Sequence, residues 1–346
     1  MSRKKLRRAI PDTLTGRRYS RCRAWLVALA LSLPLGCGRQ VEEPVPPPPV
    51  GPTTELAADE FSVMTFNLGG YGYLDRSGDG QATEFKPESE REAVLTILAD
   101  TQPQILALQD IAGGDTFTTF REALAERGLS YPFIKIAETD APLHVALLSQ
   151  YPLTSTRAHT DDRYSIGDDS LPVQRGFLEA DIAINPAYSF RLFVVQLKSK
   201  AYHPSGHTEM RRNEARLLHN HIRHALDNEH RLNLLIVGSF NDHPGSAPMR
   251  QLIASRRTSL YDLRLTDSFG ETWTFVDRDQ DAYYRYDYLL ASPHMLPEFV
   301  PQKSQVVRHP LNQQASLHRP LMAVFRARDL PTDGVGLLPD YELDDE

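Results

Sequence analysis

The sequence predicts a layered α/β domain built on mixed sheets, starting near residue 61 and preceded by a segment that belongs to targeting rather than to the fold. Short apolar runs rich in β-branched and aromatic residues recur from residue 61 onward, each the length of a strand. Stretches of helical period separate only some of these runs, so helices cannot link every strand to its neighbour, and strands outnumber helices. No internal repeat of fixed period is present.

The predicted strands are residues 61–68 (FSVMTFNL), 105–109, 144–149, 177–184, 190–197, 233–238, 286–292 and 320–325. Helical period appears at residues 88–101 before Pro103, 116–127 before Gly128, 210–226, and more briefly at 247–255. Polar residues close or open these strands: Asn67, Gln109 and Asp110, Gln196 and Lys198, Ser239 and Asn241, Asp287, and His318 just before the last strand. Layered folds build their sites from polar groups placed at strand ends. Taken singly, each has a plainer use: an Asn at a strand end caps a turn, and an Asp before Tyr pairs with an Arg such as Arg285.

Composition sets the outer bounds. Of 346 residues 41% are hydrophobic and 24% charged, enough to bury a sizeable core. The longest uninterrupted apolar stretch, residues 24–35, falls short of the ~20 residues that cross a bilayer. The net charge of −7 conceals two regions: residues 1–36 hold nine Lys/Arg and one Asp, leaving 29 basic against 44 acidic residues in the remainder. So acidic a body repels phosphate backbones and disfavours nucleic acid as a high-affinity partner.

The first 36 residues have the order of a secretory signal: a basic stretch, the apolar run AWLVALALSLPL, then Gly36. PLGC, ending at Cys37, resembles the bacterial lipobox, whose cysteine is lipidated; a plain secretory signal is the other reading. The two cysteines are Cys22, inside the presumed signal, and Cys37, so the folded part has no disulfide or thiolate site. Residues 37–60 carry Pro44, Pro46 to Pro49 and Pro52, an extended tether. The domain is expected over 61–328, with an acidic tail at 329–346. Location is expected in a bacterial envelope, at the outer membrane if there are two membranes, because Gly38 rather than Asp follows the cysteine.

Several weaker patterns have plain explanations. DRSGDGQATEFK (75–86) begins like a calcium loop but ends in Lys86 where a bidentate Glu is needed, so a tight turn is expected, with Glu84 the one substitute ligand. His203 and His207 flank a Pro-Ser-Gly loop. His221 and His224 share a helix face without an acidic companion in the local pattern and are expected to be solvated.

Six ordered blocks, MTFNLGG, ILALQD, VVQLKSK, VGSFNDHP, YRYDYLLAS and ASLHRPLMAVF, resemble the motifs of the endonuclease/exonuclease/phosphatase superfamily, deoxyribonuclease I-like proteins, over about residues 61–326. The resemblance implies a two-sheet α/β sandwich with outer helices and metal-dependent phosphodiester or phosphomonoester hydrolysis. It implies Asn67 and Asp110 on the metal side, with magnesium as the cation. Asn241 becomes a phosphate- or nucleophile-positioning amide, His318 the phosphate-contacting histidine, and Asp287 its orienting carboxylate. Gln196, Ser239 and Arg175 are the candidate substrate contacts.

Four positions depart from the motifs: Asp110 stands for Glu, Ser239 for the Asp of Gly-Asp-Phe-Asn, Leu317 for the Asp beside the histidine, and Gln196 for a histidine. A neutral serine cannot serve as general base, and Gln cannot transfer a proton. The expectation is an envelope lipoprotein acting weakly on a phosphoester-containing small molecule or envelope component, or a catalytically inactive chain that binds a ligand or envelope partner. If Cys37 carries the anchor, the native chain fractionates with membranes and Cys37→Ser moves it to the soluble fraction; membrane association unchanged by the substitution would exclude lipid anchoring.

Overall fold

In a computed structural model of the chain, residues 55–253 and 260–332 are described. The signal, Cys37 and most of the tether therefore lie outside the described residues, as does the tail beyond residue 332.

Two six-stranded sheets face one another. The first runs in the order Gln305–Val306, Leu321–Arg326, Glu60–Tyr71, Ile105–Ile111, His144–Ser149, Phe133–Ala137. The second runs Tyr261–Asp262, Asp287–Ala291, Leu234–Ser239, Tyr188–Gln196, Phe177–Asn185, Leu153–His159. Each is mixed: Glu60–Tyr71 pairs parallel with Ile105–Ile111, and Tyr188–Gln196 parallel with Leu234–Ser239, among antiparallel neighbours.

The continuous apolar runs follow from burial on both faces, since successive side chains point to opposite sides of a strand. Phe61, Val63, Ile105 and Val145 meet Leu192, Val194, Leu235 and Leu289 between the sheets. Met64, Phe66, Leu106 and Leu108 turn outward under α1 (Glu88–Thr101) and α2 (Gly114–Glu126). Phe193, Val195, Ile236 and Leu290 turn outward under α3 (His207–Asn228) and α4 (Ala247–Ile253). His207 thus opens a helix rather than sitting in a loop. The segment from Asp75 folds as a turn: the Asp75 carboxylate accepts the N–H groups of Gly78 and Gly80, and Glu84 accepts those of Arg76 and Ser77.

The four edge strands of the two large sheets escape the sequence pattern: the two-residue Tyr261–Asp262 and Gln305–Val306, and two longer ones. Leu153–His159 reads LTSTRAH and is mostly exposed, while every residue of Phe133–Ala137 but the last is only half-buried. With one neighbour and little buried surface, an edge strand has no reason to be apolar, and charge there discourages unwanted pairing.

At Gly238 the backbone has φ +141°, and a Cβ there would meet the Val195 carbonyl oxygen at 1.9 Å. The adjacent strand comes too close for any other residue. Gly238→Ala is expected to destabilise the domain by about 4 kcal/mol or more, read as a fall in the urea midpoint; a loss under ~1 kcal/mol would mean that the backbone can open here.

Candidate active site

Strand register brings the polar ends together. Gln196 pairs with Ser239 and Ser239 with Asp287, three strands abreast in the second sheet. Asn67 pairs with Gln109 in the first sheet, which sets Asp110 at the next position. Asn67 Nδ2 then crosses between the sheets and donates to Ser239 Oγ at 2.9 Å. Ser239 Oγ donates in turn to Asp287 Oδ1, and Asp287 Oδ2 lies 2.8 Å from His318 Nδ1. Asn67, Ser239, Asp287 and His318 thus form one buried chain of hydrogen bonds.

Each member is held from outside the chain. Asn67 Oδ1 accepts the N–H of Gly69 at 3.0 Å, and Ser316 Oγ donates to the Asn67 carbonyl at 2.8 Å while accepting the His318 N–H at 3.1 Å. Thr274 Oγ1 accepts the N–H groups of Tyr286 and Asp287 at 3.0 Å each. With Nδ1 engaged by a carboxylate, Nε2 is the His318 nitrogen left for the cleft. Arg285 does not pair with Asp287; it bonds Asp262 instead.

Asp110 and Asn241 both have positive φ, +59° and +55°. Asn and Asp tolerate this region best, and such positions cluster where a side chain must be aimed. Asp110 Oδ1 accepts from Arg175 at 3.0 Å, and Asn241 Nδ2 donates to the Leu197 carbonyl at 2.8 Å. Gln196 is buried with Oε1 unpartnered among the described residues. Gln109 is structural: its Oε1 accepts from Thr65 Oγ1.

Asn67, Asp110, Gln196, Asn241 and His318 border a cleft with two lobes, about 540 and 590 Å³, which share Asn67, Asp110, Phe275, Asp277 and His318. Gln196, Asn241 and Lys200 line the first lobe; Arg76, Lys86 and the half-exposed Leu317 line the second. Sequence reasoning missed an aromatic wall: Tyr284 stacks on Tyr286, Tyr286 on Phe275, and Phe275 packs against His318 at 4.7 Å. Lys200 Nζ lies 4.7 Å from the Tyr286 ring centroid. The tyrosines of YYRYDY alternate along the chain, the one signal that could have marked two of them as a common face.

Two charged clusters brace the cleft from behind. Asp267 accepts from Arg319 at 2.7 Å and Arg308 at 2.9 Å, and from the N–H groups of Phe269 and Glu271. Burial pushes its carboxyl up, but Arg319, these N–H groups and Arg308 outweigh that and hold it well below the usual carboxylate range. On the other side, α3 presents buried Arg211 to Asp242 at 2.8 Å and to the Lys198 carbonyl at 3.0 Å. Glu214, also buried, accepts the Lys198 N–H at 2.5 Å.

The profile of the Endonuclease/Exonuclease/phosphatase family matches residues 64–303. The chain belongs to this family. Among solved structures it is similar to the human Nocturnin catalytic domain with bound sulfate (18% identity, TM-score 0.55, covering 77% of this chain and 94% of that one). It is also similar to a family member from Bacteroides vulgatus (15%, 0.55, 78% and 99%) and to the 3' phosphatase NExo from Neisseria bound to a product DNA hairpin (18%, 0.54, 77% and 99%). At these identities the likeness is one of fold, the deoxyribonuclease I-like sandwich. No curated protein matches the chain.

Burial pushes the Glu214 carboxyl up to about 7, against the pull of the Lys198 and Gln174 N–H groups. The folded domain therefore holds this proton more tightly than the unfolded chain. Stability is greatest at or below the ordinary carboxylate pKa, and a penalty builds as pH rises through about 7. Glu214→Gln is expected to stabilise the domain at pH 8 by on the order of 2 kcal/mol and to change little at pH 5, measured by urea unfolding; equal effects at both pH values would refute it.

Proposed function

We propose that the chain is an envelope-tethered member of the family whose cleft binds a phosphoester and hydrolyses it slowly. One observation carries this reading: the Ser239 hydroxyl, where the resembling motif has Asp, is buried and fixed between Asn67 and Asp287. It offers no carboxylate to activate water. Nor is it poised as a nucleophile, because its proton goes to a carboxylate rather than to an imidazole, while His318 sits beyond Asp287.

What remains suits binding of a phosphoryl group. His318, oriented by Asp287, and the Asn241 amide border the cleft with Lys200, and Arg175 stands beside it on Asp110. Cationic and amide donors aimed at phosphoryl oxygens stabilise developing charge without transferring a proton. The bound sulfate of Nocturnin and the DNA product of NExo show that relatives of this fold hold such groups. The acidic body of this chain favours a small phosphorylated molecule or an envelope component over nucleic acid.

Family members are typically metal-dependent, and a magnesium ion supplies charge neutralisation and water activation where it binds. Its ligands here would be Asp110 and Asn67. Magnesium wants near-octahedral oxygen ligation. Asp110 is their one carboxylate and is already ion-paired to Arg175, and Asn67 Oδ1 accepts the Gly69 N–H. The pair does not fit a tightly held magnesium ion. The same Asp110–Arg175 ion pair favours a second reading, a cleft that binds its ligand without turnover.

The native protein is expected to cleave a simple phosphodiester well below the ~1–10³ s⁻¹ of ordinary enzymes. Ser239→Asp with Leu317→Asp should raise magnesium-dependent cleavage by at least ~10²-fold, each alone doing less, because charge and base act as a unit. Ordinary rates from the native chain would overturn the reading of Ser239. A folded but silent double variant that still binds inorganic phosphate would favour the binding-only cleft.

A further inference from the structure

We propose a metal site, built from residues that do not line the phosphoryl cleft, in which His159, Asp162 and His221 hold a zinc ion that fastens α3 to the edge of the second sheet. His159 ends the edge strand Leu153–His159, Asp162 follows it in the connecting loop, and His221 comes from the middle of α3. One ligand atom from each lies within 4.8 Å of the other two. The two imidazole rings are 3.9 Å apart between centroids, and His221 Nε2 is 2.6 Å from Asp162 Oδ2. His221 is therefore not the solvated residue that its helix pattern predicts: its acidic companion arrives from 59 residues away. His224, on the same helix face, bonds only Asn228 among the contacts described and takes no part.

The donor set selects the ion. Two imidazoles and a carboxylate suit zinc and its neighbours, whereas magnesium and calcium prefer all-oxygen shells. With zinc bonds of about 2.0–2.2 Å, tetrahedral ligands sit roughly 3.3 Å apart. A spacing of 2.6 Å between His221 and Asp162, within a cluster no wider than 4.8 Å, needs only side-chain adjustment to admit the ion. A carboxylate outside the ligand set is also in place: Glu179 Oε2 lies 2.8 Å from His159 Nε2. A hydrogen held on Nε2 by Glu179 leaves Nδ1 of the neutral ring unprotonated, the form a metal requires. Glu179 is itself steadied by Arg191 Nε at 3.4 Å.

All three ligands are partly buried, and a cavity of about 310 Å³ lined by His159, His221 and Glu179 leaves room for a water as fourth ligand. The ion would cross-link an edge strand to the helix that carries Arg211 and Glu214 behind the cleft. The two imidazole rings, tilted 37° to one another, each have a carboxylate partner, and Phe193 and Phe177 pack against His159 and His221, so both rings are held in place to receive a cation.

The test uses the purified full chain, stripped with chelator and titrated with zinc chloride by calorimetry, with cobalt absorption as a second readout. The expected result is one tight equivalent of zinc, a cobalt spectrum with nitrogen ligation, and a Tm that rises on loading. His159→Ala with His221→Ala should weaken that equivalent at least ~100-fold. If the double variant does not fold by circular dichroism, Asp162→Asn takes its place, with at least ~10-fold weaker binding expected. Asp110→Asn should leave zinc binding unchanged. Absence of a stoichiometric equivalent in the native chain, undiminished zinc in the folded His or Asp162 variants, or loss of zinc in Asp110→Asn would each overturn the proposal.

Discussion

The hydrogen bond from Asn67 to Ser239 is the constraint on which the rest of the cleft depends. It joins the end of a strand in one sheet to the end of a strand in the other, and it does so through side chains that are almost wholly buried. A buried amide and a buried hydroxyl are tolerable only if each finds partners. Ser239 is satisfied by Asp287, Asp287 by His318 and the Thr274-anchored backbone, and Asn67 by Gly69 and Ser316. Loss of any one member leaves a desolvated polar group on its neighbour. The close approach at Gly238 belongs to the same constraint, since it sets the height at which Ser239 leaves its strand.

This network is also why chemistry and architecture are hard to separate here. A carboxylate shared between a hydroxyl and an imidazole is a good anchor and a poor source of reactivity. Beyond His318 Nε2, the groups that face the cleft lie at its margins: Gln196 with an unpartnered oxygen among the described residues, Lys200 against the tyrosines, and the apolar Leu317 at the rim. Specificity in such a cleft comes from these margins, and the central chain supplies rigidity.

Much of the fold was legible because most of the predicted strands are buried on both faces and so read as apolar runs, while Phe177–Asn185 shows the alternation of a strand with one half-exposed face. The edges were not, since LTSTRAH obeys solvent on one side and a single neighbour on the other. Asn67, Asp110, Gln196, Ser239, Asp287 and His318 were legible through the order of their blocks; Asn67, Asp110, Gln196 and His318 line one cleft, with Ser239 and Asp287 buried behind it. Arg211, Glu214 and the pairing of His221 with Asp162 were not, because their meaning depends on contacts across the fold that no local spacing records. Helix periodicity placed His221 on a surface; only the packing of α3 on the sheet edge shows which surface.

Asp267 gives the cleft wall an unusual endurance. Two arginines and two backbone N–H groups converge on one carboxylate next to the segment that carries His318, and they hold its carboxyl well below the usual carboxylate range. A group with a depressed folded pKa keeps its stabilising effect until the pH falls through that value. Acid loosening of this molecule should therefore begin at carboxylates with weaker company, and the segment that Arg319 and Arg308 tie to Asp267 should be among the last parts to let go.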